Sequence, residues 1–396
     1  MKNVSIIGQG YVGLPLALAA AQSGYKVTGI DVNPEKIQTL ASGNSFVEDA
    51  SKILLRKLLK SGYYCPTIYF DSIASADIIV ICVPTPLNEK KQPDLSYILT
   101  ALSEILKYIN KNSLVILEST VAPGTTRNLI ANSIASNFNL TEDQLLVAFS
   151  PERIDPLNKT WTVENTPKVI AGLNPQSLEK AYEFYSTFIT NLYRCESLEI
   201  AEAAKLLENS FRLVNISLVN EFSQFCSTIK VDVNKVIDAA STKPYGFMRF
   251  SPSVGVGGHC IPVDPIYLSN AASKSGAPIR LIDLAFQINY ELPQYFISRA
   301  KSILRNLSHK RILVIGVAYK PNVSDVRETA VEPLIELLKA EGAEVFWHDN
   351  LVKNWKGEVS TEVSADFDLA ILATQHDYIN LDDLGDVPRL NTRGSL

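Results

Sequence analysis

The chain has 396 residues, too many for one ordinary hydrophobic core and suited to two or three domains. Hydrophobic residues make up 46%, charged residues 20%, and the net charge is −5, so bulk composition offers no reason for nucleic acid or an anionic membrane surface as a general partner. Five scattered cysteines without a Cys-x-x-Cys pair, and four histidines without ligand spacing, support neither a disulfide framework nor a metal site.

The N-terminal stretch MKNVSIIGQGYVGLPLALAAAQSG is apolar, but Gly8, Gln9, Gly10 and Gly13 interrupt it, and no run of about twenty apolar residues follows anywhere. It reads as a strand, a turn and a buried helix, so the expectation is a cytoplasmic protein without membrane insertion. Short β-branched runs then alternate with helical patterns, which argues for parallel strands with crossover helices. The candidate strands are Val4–Ile7, Lys26–Ile30, Ile78–Val83, Leu114–Glu118, Leu145–Phe149 and Lys168–Ala171, and helical patterns include Pro34–Ser42, Ser51–Ser61 and Leu95–Ile109. From Ser197 to Ile229 the chain is free of Gly and Pro, with Leu206, Phe211, Val214, Leu218 and Phe222 at helical spacing. Further helices are predicted from Val233 and over Leu281–Asn289 and beyond. The α/β pattern restarts with a strand at Lys310–Ala318, a helix at Glu328–Glu341, and strands at Glu344–His348 and Asp368–Ala373. The expected plan is a helical block joining two α/β lobes, with no fixed-period repeat.

Gly8-Gln9-Gly10-Tyr11-Val12-Gly13 follows the first strand and opens a helix. Glycines at this spacing permit a tight turn, close approach to a pyrophosphate and close helix–strand packing, and the helix start offers free N–H groups to phosphate. Asp31 ends the second strand, 18 residues after Gly13. An acid there accepts hydrogen bonds from the adenosine ribose and repels a 2′-phosphate, which selects NAD over NADP. In Ser253-Val254-Gly255-Val256-Gly257-Gly258-His259-Cys260, three glycines in four positions let backbone approach a ligand, and Cys260 lies immediately beyond. Such a cysteine is either a nucleophile activated by loop donors, with Asp264 placed for acid/base work, or an inert thiol at a structural turn. Lys205 and Asn209 share one face of the long helix. They are either a solvated polar face or donors to an alkoxide or thiohemiacetal oxyanion. Pro84-Thr85-Pro86, Glu118-Ser119-Thr120 and Ser150-Pro151-Glu152-Arg153 all fall at carboxyl ends of predicted parallel strands, where ligands bind in open α/β sheets.

Taken together, GQGYVG, VPTP, ESTVAPGTT, SPERIDP, the Lys205/Asn209 helix, GVGGHCIPVDP and GVAYKPNVSDVRETA resemble, in order and spacing, the UDP-glucose/GDP-mannose dehydrogenase family, from Lys2 to about Asp349. SPERIDP, STKPYGFMRF and GGHCIPVDP look most like the branch acting on UDP-N-acetylhexosamines, with UDP-N-acetylglucosamine the expected substrate and the galacto and manno epimers or UDP-glucose as alternatives. The resemblance implies an α/β protein with two Rossmann-like doubly wound domains joined by a central helical region with a long helix. The expected division is residues 1–196 for an NAD-binding domain, 197–300 for a helical dimerisation region carrying the nucleophile loop, and 301–396 for a UDP-sugar-binding domain. The expected assembly is a homodimer or higher homo-oligomer.

Carried over residue by residue, the resemblance makes Cys260 the nucleophile. Lys205, Asn209 and Asp264 stabilise the oxyanion and position water, Glu152 serves thioester hydrolysis, and Thr120 lies at the nicotinamide–sugar junction. Gly8, Gly10, Tyr11, Val12, Gly13, Asp31, Pro84, Thr85, Ser119, Thr120 and Arg327 are the expected cofactor-binding residues. Glu152, Arg153, Lys205, Asn209, Arg249, Gly257 and Lys320 are expected to bind substrate. The chain departs from the family pattern at Pro156-Leu157, where a Pro-Gly pair is usual, at Pro252-Ser253, and at Lys320-Pro321, where two basic residues are usual. The implied chemistry is a four-electron oxidation of a sugar CH₂OH to carboxylate through a thiohemiacetal and a thioester. Its rivals are a two-electron hydroxy-acid dehydrogenase, which leaves Cys260 and the C-terminal lobe unexplained, and a non-catalytic nucleotide-sugar or NAD sensor.

Overall fold

The run NVSII near the start of the chain is buried on both faces of its pleat, as the central strand of a sheet covered on both sides must be. Val4 and Ile6 join one core, Ile7 the other, and the same alternation splits Ile78 and Val80 from Ile79 and Ile81. The computed structural model describes residues 2–47, 50–153, 158 and 160–394, and the chain divides into two units, Met1–Glu208 and Asn209–Leu396.

The first unit runs β1 (Asn3–Ile7), α1 (Gly13–Gln22), β2 (Lys26–Ile30), α2 (Pro34–Ala41), α3 (Lys52–Ser61), β3 (Tyr64–Thr67), β4 (Ile78–Ile81) and α4 (Ser96–Tyr108). It continues with β5 (Leu114–Leu117), α5 (Asn132–Phe138), β6 (Val147–Phe149), β7 (Lys168–Gly172), α6 (Pro175–Tyr185) and β8 (Leu192–Arg194). The sheet order is β3-β2-β1-β4-β5-β6-β7-β8, so the chain reverses direction across the sheet between β1 and β4. One core packs α1, α3 and α6 against the sheet and the other packs α4 and α5, which makes the unit doubly wound.

The long helix α7 (Leu198–Thr228) begins in the first unit, and its residues from Asn209 onward belong to the second. There follow α8 (Val233–Ser241), α9 (Asp264–Lys274), α10 (Arg280–Leu304), β9 (Arg311–Ile315), α11 (Val331–Ala340) and β10 (Glu344–His348). A small antiparallel hairpin, β11 (Asn354–Trp355) and β12 (Glu358–Val359), precedes β13 (Leu369–Leu372) and β14 (Arg389–Asn391). The second sheet, β10-β9-β13-β14, is parallel throughout. Among the described residues no helix is long and apolar enough to cross a membrane.

Most predicted elements lie within two residues of the observed ones, and the differences have local causes. Strand β7 pairs antiparallel with β6, not parallel as expected, because no crossover helix is described between Phe149 and Lys168 to carry the chain back. The strand predicted to Ala318 stops at Ile315, where Gly316 turns the chain with φ +84°. The helix predicted from Glu328 starts at Val331, since Glu328 has φ +48° and the Thr329 hydroxyl accepts from the Val331 N–H at 3.3 Å.

Candidate functional site

In the first unit the turn after β1 is shaped by two glycines and left open by a third. Gly8 has φ +90° and donates its N–H to the Ile30 carbonyl at 2.7 Å; a Cβ there would sit 2.5 Å from the Cys82 carbonyl oxygen. Gly13 opens α1, and a Cβ on it would come within 1.8 Å of the Gly8 carbonyl oxygen. A Cβ on Gly10 meets nothing within 4 Å. Tyr11 lies exposed and Val12 half-buried between them, and no side chain caps the start of α1. Asp31 is buried at the end of β2, accepting the Gln9 N–H and the Asn33 N–H at 3.0 Å each, with the Lys36 ammonium 3.6 Å away. An uncapped helix start, open space at Gly10 and a strand-end carboxylate fit a dinucleotide's pyrophosphate and ribose.

The neighbouring strand ends carry the other first-unit candidates. Pro84 is exposed and Thr85 buried beyond β4, while the Ser119 hydroxyl donates to the Val83 carbonyl at 2.7 Å and leaves Thr120 half-buried beside it. Beyond β6, the segment Pro151–Arg153 is held by side chains from β7 and α7. Lys168 donates to the Pro151 carbonyl at 3.2 Å, the Lys205 ammonium donates to the Glu152 carbonyl, and Arg153 pairs with Glu208. Ile154, Asp155, Pro156 and Leu157, the rest of the SPERIDP motif and its departure, lie outside the described residues.

Two buried clusters whose pairing the sequence did not show organise this region. Lys168 forms an ion pair with Glu118 at 3.1 Å, and the Tyr185 hydroxyl donates to the same carboxylate. Burial pushes the Glu118 carboxyl up while Lys168 pulls it down. The available signal was a lysine opening an otherwise apolar buried strand, KVIAG, which needs a counter-charge. Glu202, on α7, accepts the Gly124 N–H (2.5 Å), the Thr126 N–H (2.8 Å) and the Thr126 hydroxyl (2.6 Å), tying the ESTVAPGTT segment to the helix that carries Lys205. Burial outweighs these bonds and pushes Glu202 up to about 7.

In the second unit the Asn209 amide donates to the Asp264 carboxylate at 2.5 Å, both groups being buried. Asp264 is the first residue of α9, and its N–H and that of Val263 donate to the Cys260 carbonyl at 2.8 and 3.2 Å. Cys260 therefore occupies the exposed head of the turn leading into α9. The other thiols differ: burial pushes Cys82, Cys195 and Cys226 up, and Cys65 lies on the edge strand β3.

The glycines before Cys260 have a use that the sequence did not suggest. They pack backbone against the 319–330 segment. A Cβ on Gly258 would meet the Tyr319 ring at 2.9 Å, one on Gly257 the Glu328 carbonyl oxygen at 2.9 Å, and one on Gly255 the Ala330 Cβ at 2.9 Å. The Gly258 N–H also donates to the Arg327 carbonyl at 3.1 Å. The glycine loop before Cys260 and the motif bearing Lys320 and Arg327 thus form one packed body. The Arg327 guanidinium forks onto Asp325, and the Lys320 ammonium lies 5.7 Å from the Tyr319 ring centre. Arg249 is not gathered into this group; it pairs with Asp238 on an exposed surface.

A glycine turn and strand-end acid on the first sheet, and a second α/β sheet packed on a cysteine loop, define a nicotinamide-dinucleotide oxidoreductase with a separate substrate lobe. Three domains of the UDP-glucose/GDP-mannose dehydrogenase family match the chain: the NAD-binding domain over residues 2–189, the central domain over 199–291 and the UDP-binding domain over 313–393. The UDP-N-acetyl-D-mannosamine dehydrogenase of Methanococcus maripaludis is 31% identical over 99% of this chain and 91% of its own length. The NDP-N-acetyl-D-galactosaminuronic acid dehydrogenase of Ralstonia nicotianae is 34% identical over 85% of this chain and 79% of its own. Among solved structures, a UDP-D-ManNAc dehydrogenase from Pyrococcus horikoshii superposes with a TM-score of 0.91 at 29% identity, covering 99% of this chain and 95% of that one. The chain belongs to the UDP-glucose/GDP-mannose dehydrogenase family and is an NAD-dependent UDP-sugar dehydrogenase.

Proposed function

We propose that the chain oxidises the C6 hydroxymethyl of a UDP-N-acetylhexosamine to the carboxylate in two two-electron steps, with Cys260 as covalent nucleophile. When bound, NAD accepts one hydride in each step. After the first oxidation the Cys260 thiolate adds to the C6 aldehyde, and Lys205 and Asn209 donate hydrogen bonds to the resulting thiohemiacetal oxygen. The second oxidation leaves a thioester. Water, held by Asp264 or Glu152, adds to its carbonyl, expels the thiolate and yields the acid. Partial positive charge at the start of α9 stabilises the anion on Cys260. Thr120 borders the reacting carbon. Arg153, Gly257 and Lys320 bind the nucleotide sugar, and Arg327 binds the cofactor.

The observation that carries this reading is the position of Cys260 at the head of α9, one turn before an Asp264 carboxylate fixed by Asn209. The sequence motifs point to UDP-N-acetylglucosamine, but the mannosamine relatives favour the manno epimer, and UDP-N-acetylmannosamine is the proposed substrate. The protein acts as a homodimer, because α7 exposes Phe211, Leu218, Phe222 and Phe225 at successive spacings of seven, four and three, and Ile229 just beyond the helix continues the line, a seam for a second helix. The test measures NADH and uronic acid from UDP-N-acetylmannosamine, its gluco and galacto epimers and UDP-glucose. Two NADH per acid are expected with the manno sugar, and neither Cys260→Ala nor Cys260→Ser should complete the sequence. Full two-NADH turnover in either variant would remove the covalent scheme, and preference for another sugar would overturn the epimer.

A further inference from the structure

His376 is fully buried just beyond β13 and has no part in the chemistry proposed above. Its two ring nitrogens have different partners. Nδ1 lies 2.7 Å from the backbone nitrogen of Asn322, and Nε2 lies 3.0 Å from Asp349 Oδ2. A backbone N–H only donates, so Nδ1 must accept and the ring proton must sit on Nε2, where it is donated to Asp349. Asp349 is equipped to hold it. Its carboxylate also accepts the N–H groups of Val317 (2.9 Å), Ala318 (3.3 Å), Leu351 (2.9 Å) and Val352 (3.0 Å). Tautomer and ring orientation are fixed from behind, as a second layer of hydrogen bonds fixes a histidine in a metal site.

What the ring holds is the turn Tyr319-Lys320-Pro321-Asn322. Asn322 has φ +64°, and its side chain is clamped reciprocally: its amide donates to Asp377 at 2.8 Å and its carbonyl accepts the Asp377 N–H at 3.1 Å. Three hydrogen bonds therefore tie the turn after β9 to the segment after β13. At its other end the same turn presses the Tyr319 ring on the backbone of Gly258, two residues before Cys260. Pro321 and the left-handed Asn322 leave the turn few conformations once these bonds are made.

We propose that His376 is a positioning residue for nucleotide-sugar binding: locked as the Nε2–H tautomer by Asp349, it props the Asn322 backbone and so sets the approach of Lys320 to the UDP diphosphate. The proposal rests on the reading of Lys320 as a substrate residue. The experiment titrates UDP alone into the full-length protein by calorimetry, with steady-state KM for NAD and for the nucleotide sugar measured in parallel. His376→Ala should weaken UDP binding about tenfold and raise the sugar KM to match, with the KM for NAD unchanged. His376→Asn, whose side-chain oxygen can take over acceptance from the Asn322 N–H, should recover most of the loss. Asp377→Ala, at an exposed position, removes only the lateral clamp and should weaken UDP about threefold in a protein that folds normally. His376→Ala added to Lys320→Met should cost no more than Lys320→Met alone, because the histidine acts through the lysine. Additive losses in that double variant would overturn the proposal. So would unchanged UDP binding in both His376→Ala and Asp377→Ala, or parallel loss of UDP and NAD affinity without rescue by asparagine. A wild-type protein that binds no UDP would overturn the substrate reading itself, an outcome separate from any of these.

Discussion

Gly10 and Gly13 belong to one motif, yet the structure separates what each is for, and alanine at each position tests the separation. Gly13→Ala places a methyl 1.8 Å from the Gly8 carbonyl oxygen, about half an ordinary carbon–oxygen contact. Gly8 cannot retreat, since its own Cα faces the Cys82 carbonyl and its N–H is engaged with Ile30. Relief needs the start of α1 to move by more than an ångström, an overpacking cost of about 1–3 kcal/mol. For a unit of this size that lowers Tm by roughly 3–10 °C, and displacement of the helix N–H groups weakens NAD as well. Gly10→Ala meets nothing, and its φ lies outside the left-handed region, so its Tm should match wild type. If the pyrophosphate lies over Gly10, the methyl fills that space, and a loss of about 2 kcal/mol raises the NAD Kd roughly 30-fold. Differential scanning fluorimetry without ligand and calorimetric titration with NAD measure the two effects separately. An unchanged NAD Kd in Gly10→Ala would refute the pyrophosphate placement, and an unchanged Tm in Gly13→Ala would refute the steric argument.

Lys168→Met leaves Glu118 buried without its counter-charge and should destabilise the first unit by about 3–5 kcal/mol in urea unfolding; Lys168→Met with Glu118→Gln should restore most of it, and an undiminished loss would show that the pair acts by packing alone. Asp349 is held down to about 2 from 3.8, its hydrogen bonds outweighing its burial, so the folded state binds its proton less tightly than the unfolded one. The resulting stability, about 2 kcal/mol, is complete above pH 3.8 and lost as pH falls toward 2; Asp349→Asn should flatten that slope when Trp347 and Trp355 fluorescence is followed in a Trp161→Phe background. Phe225→Glu with Leu218→Glu should halve the mass seen by light scattering, and an unchanged mass would place the dimer contact elsewhere.

Local signals in the sequence reached the elements whose cause is local. Strand β1 is mostly apolar, β2 and β10 each follow one charged residue with mostly β-branched or aromatic ones, and α7 is a periodic stretch without a breaker, so their bounds were readable to within a residue or two. Strand β3 was missed because YCPT has a proline in its middle, which only an edge position tolerates, and β14 is a three-residue edge with an exposed arginine. The candidate site divides the same way. The glycine turn and Asp31 carry a local pattern. The Lys168–Glu118 pair joins residues 50 apart in the chain, and the packing of Gly255, Gly257 and Gly258 on Tyr319 and Glu328–Ala330 joins segments more than 60 apart. Only the folded sheet brings those groups together, and no spacing rule encodes them.

The two sheets also differ in what their first turns can hold, although both are of the predominantly parallel, dinucleotide-binding type. Gly316 after β9 repeats the conformation of Gly8 after β1, and Asp349 ends β10 as Asp31 ends β2. The resemblance stops there. The positions matching Gly10 and Gly13 are Ala318 and Pro321, and the next helix, α11, starts only at Val331, so this turn leads into no helix N-terminus that could receive a pyrophosphate. Asp31 carries two backbone donors beside a partly exposed Lys36, whereas Asp349 carries four and the His376 ring as well. A carboxylate saturated from inside the protein has no acceptor left for a ribose, and its occupation by His376 redirects the second lobe toward holding the Lys320 turn. Calorimetry should therefore find one NAD per chain, with Asp31→Ala abolishing the binding heat and Asp349→Asn leaving it intact. A second equivalent of NAD that Asp349→Asn removes would mean that the histidine yields to ribose, and the division of labour between the lobes would fail.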